Sequence, residues 1–181
     1  MKPTDELIAE HNAVLVALQL LAKIEEALAT GDKQAPEHLD QIVDFLKGFV
    51  DRCHHGKEER HLFPKMHDRG MPAGAGPIAV MLHEHEQGRA AVQAIAGALV
   101  RVRGGDHRAA SVLSEALLGY VVLLRNHIFK EDNVLFPMAD QVLPPDEQLH
   151  LADLFDKVEE EEIGEGVHER YHELAHRLGG G

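Results

Sequence analysis

The chain is poor in several residue types, and each shortage excludes a class of protein. Its 181 residues include one cysteine, Cys53, which rules out an internal disulfide and a thiolate zinc cluster. A net charge of -13 without a basic stripe argues against a nucleic-acid partner. No uninterrupted apolar run reaches the roughly 20 residues of a membrane span, and the first residues do not resemble a secretory signal. We therefore expect no membrane association and a cytoplasmic protein.

Histidine, in contrast, is abundant. The chain has 14 histidines, far more than a protein of this size needs for folding. Imidazole is the commonest ligand for transition metals in proteins. Because the chain has so little cysteine, any metal must be held by nitrogen and oxygen atoms. The composition thus directs attention to how the histidines are spaced.

Apolar residues recur at helical spacing, and no alternating run typical of a strand is present. The sequence therefore predicts an all-α protein. Thr4 is a candidate cap for the first helix, and Pro64 and Pro137 are expected to end the second and fourth. The predicted helices cover residues 4–30, 36–63, 77–103 and 106–136, followed by one or two more with a break near Gly164 and Gly166.

Four long helices with short connections favour an antiparallel up-down four-helix bundle with an additional C-terminal helical segment. The expected organisation is a bundle over residues 1–140 and a helical extension over residues 141–181 that packs against it. The length suits one hydrophobic core.

An internal repeat relates the two halves of the predicted bundle. The segments HHGKEERHLFP (54–64) and HIFKEDNVLFP (127–137) are identical at six of eleven positions. A Glu-His dipeptide precedes the two copies by 43 and 42 residues, at His11 and His85. Such a duplication predicts two similar half-sites that face each other.

The repeat selects two pairs of side chains spaced four residues apart, His54 with Glu58 and His127 with Glu131. Residues at this spacing lie on one face of an α-helix and can ligate one centre. His55 has the same spacing to Glu59, but at about 100° per residue it is expected to point away from the apolar face of its helix.

Four histidines, one from each helix, and two glutamates would therefore point inward. Burying them without a compensating charge is costly, and a pair of cations would supply that charge. Imidazole with carboxylate suits iron or manganese. One glutamate from each half would bridge the two metals. The inward residues are His11, His54, Glu58, His85, His127 and Glu131.

These motifs resemble the hemerythrin-like, or HHE cation-binding, family. The resemblance covers roughly residues 5–140 and rests on EHNAVL, HHGKEERHLFP, MLHEHEQGR and HIFKEDNVLFP. It implies an antiparallel four-helix bundle that holds a non-haem di-iron centre, with manganese or zinc as substitutes. By position, it implies the four inward histidines as terminal ligands and the two glutamates as bridges.

The chain departs from the oxygen-carrying members of that family. They have a second histidine four residues after the third-helix ligand, where this chain has Arg89. One ligand is therefore missing from the pattern. Either the C-terminal segment supplies it, with His168 as the candidate and the VEEEEIG carboxylates as the alternative, or a water fills the position.

Two other metal classes are less consistent with the sequence. Ferritin-like bundles use Glu-x-x-His motifs, and Glu58 to His61 fits one, but the second repeat has Val134 in place of the histidine. Zinc-protease chemistry is excluded because HEHEQ lacks the H-E-x-x-H spacing. A helical interaction module without metal is the remaining non-metal alternative.

The family resemblance implies a protein that binds O2, NO or H2O2 in its core for sensing, storage or stress defence. The missing ligand favours an alternative, an oxidoreductase that turns over peroxide or nitric oxide. Tyr120, seven residues before His127, is expected in the core, where its hydroxyl could contact the bound ligand. The sequence does not predict an oligomeric state.

Overall fold

The computed structural model describes residues 2–32, 36–106 and 108–162, and this part of the chain is helical with no strand. The prediction of an all-α protein is confirmed. Seven α-helices are present: α1 (Pro3–Ala29), α2 (Leu39–Phe45), α3 (Phe63–Asp68), α4 (Gly76–Arg103), α5 (Ala109–Lys130), α6 (Phe136–Val142) and α7 (Pro145–Glu162).

Three π-helical segments join these helices into longer rods. Segments π1 (Leu46–His55) and π2 (Glu58–Leu62) lie between α2 and α3, and π3 (Glu131–Leu135) lies between α5 and α6. Segments of this kind are rare and often mark functional sites. Here π1 and π2 contain the first H-x-x-x-E motif, and π3 begins at the glutamate of the second.

The expectation that Pro64 and Pro137 end their helices is wrong. The helical path continues through both prolines, to Asp68 and to Val142. Each proline is in the first two positions of an α-helix that follows a π-helical segment. The change from π to α hydrogen bonding occurs there, so the missing N–H of proline disrupts less than it would inside a regular helix.

The N-terminal cap also differs from the prediction. Helix α1 begins at Pro3 with Lys2 as its N-cap, whereas Thr4 lies inside the first turn. The Thr4 hydroxyl instead donates a hydrogen bond to Asp140 Oδ1 at 2.7 Å. This bond connects the start of α1 to α6.

The core consists of two apolar clusters separated by a layer of polar residues. The larger cluster includes Leu18, Phe49 and Leu117, and the smaller includes Met66 and Phe155. Helix α5 packs against both α1 and α4, and π1 packs against α4. Four long rods pass from one cluster to the other, so each contributes to the polar layer between them. The rods are α1, the stretch from α2 to α3, α4, and the stretch from α5 to α6.

Helix α7 packs against α1, π1 and π2. Its buried face consists of Leu151, Phe155 and Val158. The predicted break near Gly164 and Gly166 lies outside the described residues.

Two helical stretches, Pro3–Ala29 and Ala109–Val142, are long and apolar enough to cross a membrane by length and composition alone. Core helices of soluble proteins share these properties. Both stretches carry buried ionisable side chains of the polar layer, His11 on the first and His127 and Glu131 on the second.

Candidate metal centre

Six buried side chains meet in the polar layer, each at most 2% exposed. The imidazole Nε2 atoms form two close pairs. His11 and His54 approach to 3.0 Å, and His85 and His127 approach to 3.2 Å. The structure therefore brings together the histidines of each half of the repeat, as the sequence analysis expected of a two-part site.

The two glutamates lie between these histidine pairs. Glu131 Oε2 is 3.2 Å from His11 Nε2, and its Oε1 is 3.1 Å from His127 Nε2. Glu58 Oε2 is 3.4 Å from His85 Nε2, and its Oε1 is 4.0 Å from His54 Nε2. Each carboxylate thus contacts both histidine pairs, which is the position that a bridging ligand needs.

A carboxylate fixes the other ring nitrogen of each histidine. Nδ1 of His54 faces Glu10, and Nδ1 of His127 faces Glu84, at 2.7 and 3.0 Å. Nδ1 of His11 faces Asp132 and Nδ1 of His85 faces Glu59, both at 2.7 Å. Because an ionised carboxylate can only accept, Nδ1 of each ring is the donor, and Nε2 of a neutral ring carries the lone pair.

These atoms fit a pair of cations. When the imidazoles are neutral, none of the four buried carboxylate oxygens of Glu58 and Glu131 has a hydrogen-bond partner within the described residues, because the nearby Nε2 atoms then carry no proton. Unpaired buried carboxylates are very costly, and lone pairs that face each other at about 3 Å repel. A cation beside each histidine pair would relieve both costs. Nitrogen and oxygen donors of this kind suit iron, manganese and zinc.

The electrostatics of the metal-free layer depend on the same contacts. Burial alone would lower the pKa of His11, but the Asp132 and Glu131 carboxylates raise it to about 10. The pKa values of His85 and His127 are raised against burial in the same way, to about 11 and about 9. Burial opposes ionisation of Glu131, but the charge of His127 and the nearby His11 keep its pKa well below the usual value. Without a metal, protons would take the place of the cations.

We call the four carboxylates that face the Nδ1 atoms the outer carboxylates. In each half, a lysine contacts one of them on the side away from the histidine. Lys57 Nζ donates to Glu10 at 2.5 Å, and also to Glu6 and to Glu159 of α7, both at 2.6 Å. Lys130, at the matching position of the repeat, contacts Glu84. Lys57 is fully buried, whereas Lys130 is 37% exposed.

His55 is a fifth histidine of the centre, and its predicted surface position is wrong. The side chain is 4% exposed and stacks on the His85 ring with 3.8 Å between centroids. It groups with Glu58, His85 and His127 as a set that could hold one ion. The angular prediction assumed α-helical geometry, whereas the wider π1 turn brings both His54 and His55 inside.

The repeat contained a signal for the outer carboxylates that the sequence analysis left unused. Glu59 and Asp132 are matched positions, as are Glu10 and Glu84. The structure places Glu59 against the His85 imidazole and Glu84 against the His127 imidazole. His168, the candidate for the missing ligand, lies outside the described residues.

Comparison with known families agrees with this geometry. Residues 2–139 match the family model described as the hemerythrin HHE cation-binding domain. The chain belongs to this family. Domains of the hemerythrin type bind metal cations, typically iron, and the polar layer is where this chain collects the donors for them.

Relatives of this hemerythrin-like domain include proteins with and without an assigned role. An uncharacterised Mycobacterium tuberculosis protein is 23% identical over 89% of this chain and 62% of its own length. The iron-sulfur cluster repair protein YtfE of Edwardsiella ictaluri is 31% identical over 76% of this chain and 66% of its own length. The iron-sulfur cluster repair protein DnrN of Neisseria gonorrhoeae is 32% identical over 64% and 78%.

The alignment to the mycobacterial relatives spans about three fifths of their length. A comparison with solved structures found no significant match.

Helix α4 has Arg89 at the position where the sequence comparison with oxygen-carrying members expects a second histidine. His55 lies beside His85 in the same half of the site. A histidine from the preceding rod is therefore close to the position that α4 leaves without a donor.

Proposed function

We propose that the chain is a non-haem di-iron protein whose centre binds a small diatomic or peroxide ligand, O2, NO or H2O2, in stress defence, sensing or storage. The observation that carries this proposal is the set of four buried carboxylate oxygens of Glu58 and Glu131, which face the Nε2 atoms of four buried histidines and have no hydrogen-bond partner among the described residues when those rings are neutral. A pair of bridged cations gives those oxygens partners and separates the facing imidazoles.

In the proposed centre, His11 and His54 would hold one iron, and His85 and His127 the other. Glu58 and Glu131 would supply the carboxylates shared by both. When bound, a pair of irons supplies two-electron exchange with a small oxygen or nitrogen ligand. The chain orients the imidazoles through the outer carboxylates, which keep Nδ1 protonated and Nε2 available.

For the helices around the centre, we propose the arrangement that the hemerythrin-like family implies. In this proposal the long helices form an antiparallel up-down four-helix bundle within residues 1–140, and α7 is a helical extension on it. The packing of α5 against α1 and α4, and of α7 against α1, supports this arrangement. We expect a cytoplasmic protein that acts without a membrane or nucleic acid.

Metal analysis tests the proposal directly. Protein from iron-supplemented growth is expected to contain about two irons per chain and to absorb in the near-ultraviolet through ligand-to-iron charge transfer. His54→Ala and Glu131→Ala should lose both properties. His83→Ala is the matched control, because His83 is exposed on the same helix as His85. Folded wild-type protein without stoichiometric metal would contradict the proposal and leave a helical interaction module.

Peroxide turnover distinguishes a binding protein from an oxidoreductase. Steady consumption of H2O2 by the iron-loaded protein, abolished in Glu131→Ala, would favour the enzyme. A stable, reversible change in the spectrum without turnover would favour binding. His55, a donor candidate that no carboxylate fixes, supports the enzyme alternative because such a position can admit a reactant.

A role in iron-sulfur cluster repair is the second candidate function. Its support is the 31–32% identity to proteins named for that role in Edwardsiella ictaluri and Neisseria gonorrhoeae. The test is reactivation of an oxidant-damaged [4Fe–4S] dehydratase by iron-loaded protein, with iron-free protein and His54→Ala as controls. Equal recovery with free iron alone would count against repair.

A further inference from the structure

A cavity of about 220 Å³ lies beside one half of the metal centre. His55 forms part of its wall, together with Val50, Gly88, Val92 and Tyr120. His55 also belongs to the donor group of Glu58, His85 and His127, so one side chain is shared by the cavity wall and the candidate metal site. Its size admits a molecule of two or three heavy atoms together with water.

His55 differs from the other four histidines of the centre. Each of those has a carboxylate within 3.0 Å of Nδ1, whereas His55 Nδ1 makes no hydrogen bond within the described residues. The nearest carboxylate oxygen, Asp51 Oδ1, is 3.6 Å away. A ring without such a partner is not fixed in orientation, in contrast to the usual arrangement of metal-binding histidines.

The residues that line the inner end of the cavity are not repeated in the other half of the pseudo-symmetric site. In the second copy of the repeat, Ile128 occupies the position of His55, and Phe129 that of Gly56. Ile128 is buried in the larger apolar cluster. An apolar side chain therefore stands in the second copy of the repeat at the position that His55 has in the first.

Arg89 lies at the outer end of the cavity and is 28% exposed. Its guanidinium donates to Asp51 and to Glu59, both at 2.7 Å. Glu59 Oε1 in turn accepts from His85 Nδ1. Lys47 and Gln93, which are exposed, complete this end, so the cavity opens to solvent next to two cationic side chains. Arg89 also pairs with Glu86, and Asp51 lines the same end, so charges of both signs surround the mouth. A small dipolar molecule can be oriented there.

We propose that this cavity, between π1 and α4, is the entry route and binding pocket for the small ligand of the centre. The ligand reaches the His85 and His127 half, with His55 at the inner end and Arg89 at the mouth. This inference rests on the proposed di-iron function, and it adds the side of the centre at which the ligand binds and the residues that admit it.

Gly88 provides the test because it lines the cavity without touching the inner donors. A Cβ atom built there would be 3.8 Å from Leu124 and 3.9 Å from Tyr120, which is ordinary contact, so alanine fits without a clash. Leucine at the same position would extend into the cavity. Gly97, on the exposed face of the same helix, has open space around its Cβ position, and Gly97→Leu is the matched control.

The probe is azide, a linear three-atom anion whose binding to iron(III) is followed by visible absorption in a stopped-flow instrument. We expect the association rate and affinity of azide to fall by about tenfold or more in Gly88→Leu, and by less in Gly88→Ala. Gly97→Leu should match the wild type. Iron content and the absorption of the azide-free protein should remain unchanged in all three variants.

Val92→Phe fills the cavity from a second position and guards against a folding defect in Gly88→Leu. Unchanged azide kinetics in iron-loaded Gly88→Leu, or in Val92→Phe where Gly88→Leu does not fold, would overturn the pocket while leaving the di-iron function intact. Wild-type protein that contains no iron would instead contradict the proposed function. Iron-loaded wild-type protein that fails to bind azide would overturn both the pocket and the proposed binding of a small ligand at the centre.

Discussion

The two halves of the repeat match each other at the metal-facing residues and differ behind them. Each half has two histidines, a central glutamate and two outer carboxylates in the same relative positions. The first half, however, contributes a buried lysine connected to α7 and a third histidine, His55, which stacks on His85. The second half has the partly exposed Lys130 and the apolar Ile128. The shared residues are those that the proposed two-metal centre would require, and the differing residues are those that adapt the centre to its surroundings.

The largest difference between the halves is expected in stability, when each of the two lysines is replaced separately by methionine. Lys57→Met leaves Glu6, Glu10 and Glu159 without their buried cation, and we expect a loss of about 3–5 kcal/mol in the free energy of unfolding. Lys130→Met removes a half-exposed partner of Glu84 and should cost less than about 1 kcal/mol. Urea unfolding of both variants measures the difference, and equal losses would contradict the comparison.

Removal of iron should bring protons onto both halves. The metal requires neutral imidazoles, whereas in the metal-free protein the pKa values of His11, His127 and His85 are about 10, 9 and 11. Because pH 8 is below all three pKa values, these imidazoles are protonated in the metal-free protein. Extraction of iron should therefore be accompanied by uptake of at least about one proton per chain. Iron affinity should therefore rise with pH through this range.

Proton uptake is measured in weakly buffered solution with a pH indicator, after correction for the protons bound by the chelator. His83→Ala is the control, since its exposed imidazole should not alter the result. A constant pH during iron extraction would show that the imidazoles are neutral with or without metal.

The outer carboxylates should contribute similarly in the two halves. Glu10→Gln and Glu84→Gln each exchange a charged acceptor behind a ligand-candidate histidine for an amide, and iron affinity should fall by about 10- to 100-fold. The larger fall is expected for Glu10, which is 1% exposed compared with 13% for Glu84. Competition with a chelator measures both, and Glu86→Gln, exposed on the helix of Glu84, is the control.

Making the first half resemble the second at position 55 should have the smallest effect on iron. His55→Ile copies the residue at position 128, and because no carboxylate fixes His55, we expect iron affinity to change by less than about tenfold. The visible spectrum of the azide complex should shift, because His55 is at the inner end of the proposed azide pocket. Loss of the whole centre in this variant would identify His55 as an indispensable ligand.

The all-α class and the group of six inward residues could be predicted because both depend on spacing within regular helices. Three parts could not. Pro64 and Pro137 normally indicate helix ends, and only the neighbouring π-helical segments allow the helices to continue. His55 was placed wrongly for the same reason, since its direction depends on the width of the turn rather than on residue type.

The third part concerns pairing between helices. The Glu10–His54 and Glu59–His85 contacts join residues 44 and 26 positions apart. No local pattern specifies such contacts. The repeat did restrict the choice, because a side chain that holds a histidine in one half has a counterpart in the other.

The polar layer also has a consequence for the cooperativity of folding. It separates the two apolar clusters, so that a layer of ionisable side chains lies between them. Without metal, contacts between imidazoles and carboxylates alone hold this layer together, and we expect the smaller cluster, with Met66 and Phe155, to open while the larger one, with Leu18 and Phe49, remains closed. With metal, every rod would be bonded to the same centre. Iron would thus convert a molecule with two semi-independent ends into one that unfolds as a single unit, visible as uniform amide hydrogen exchange along α1 and α4.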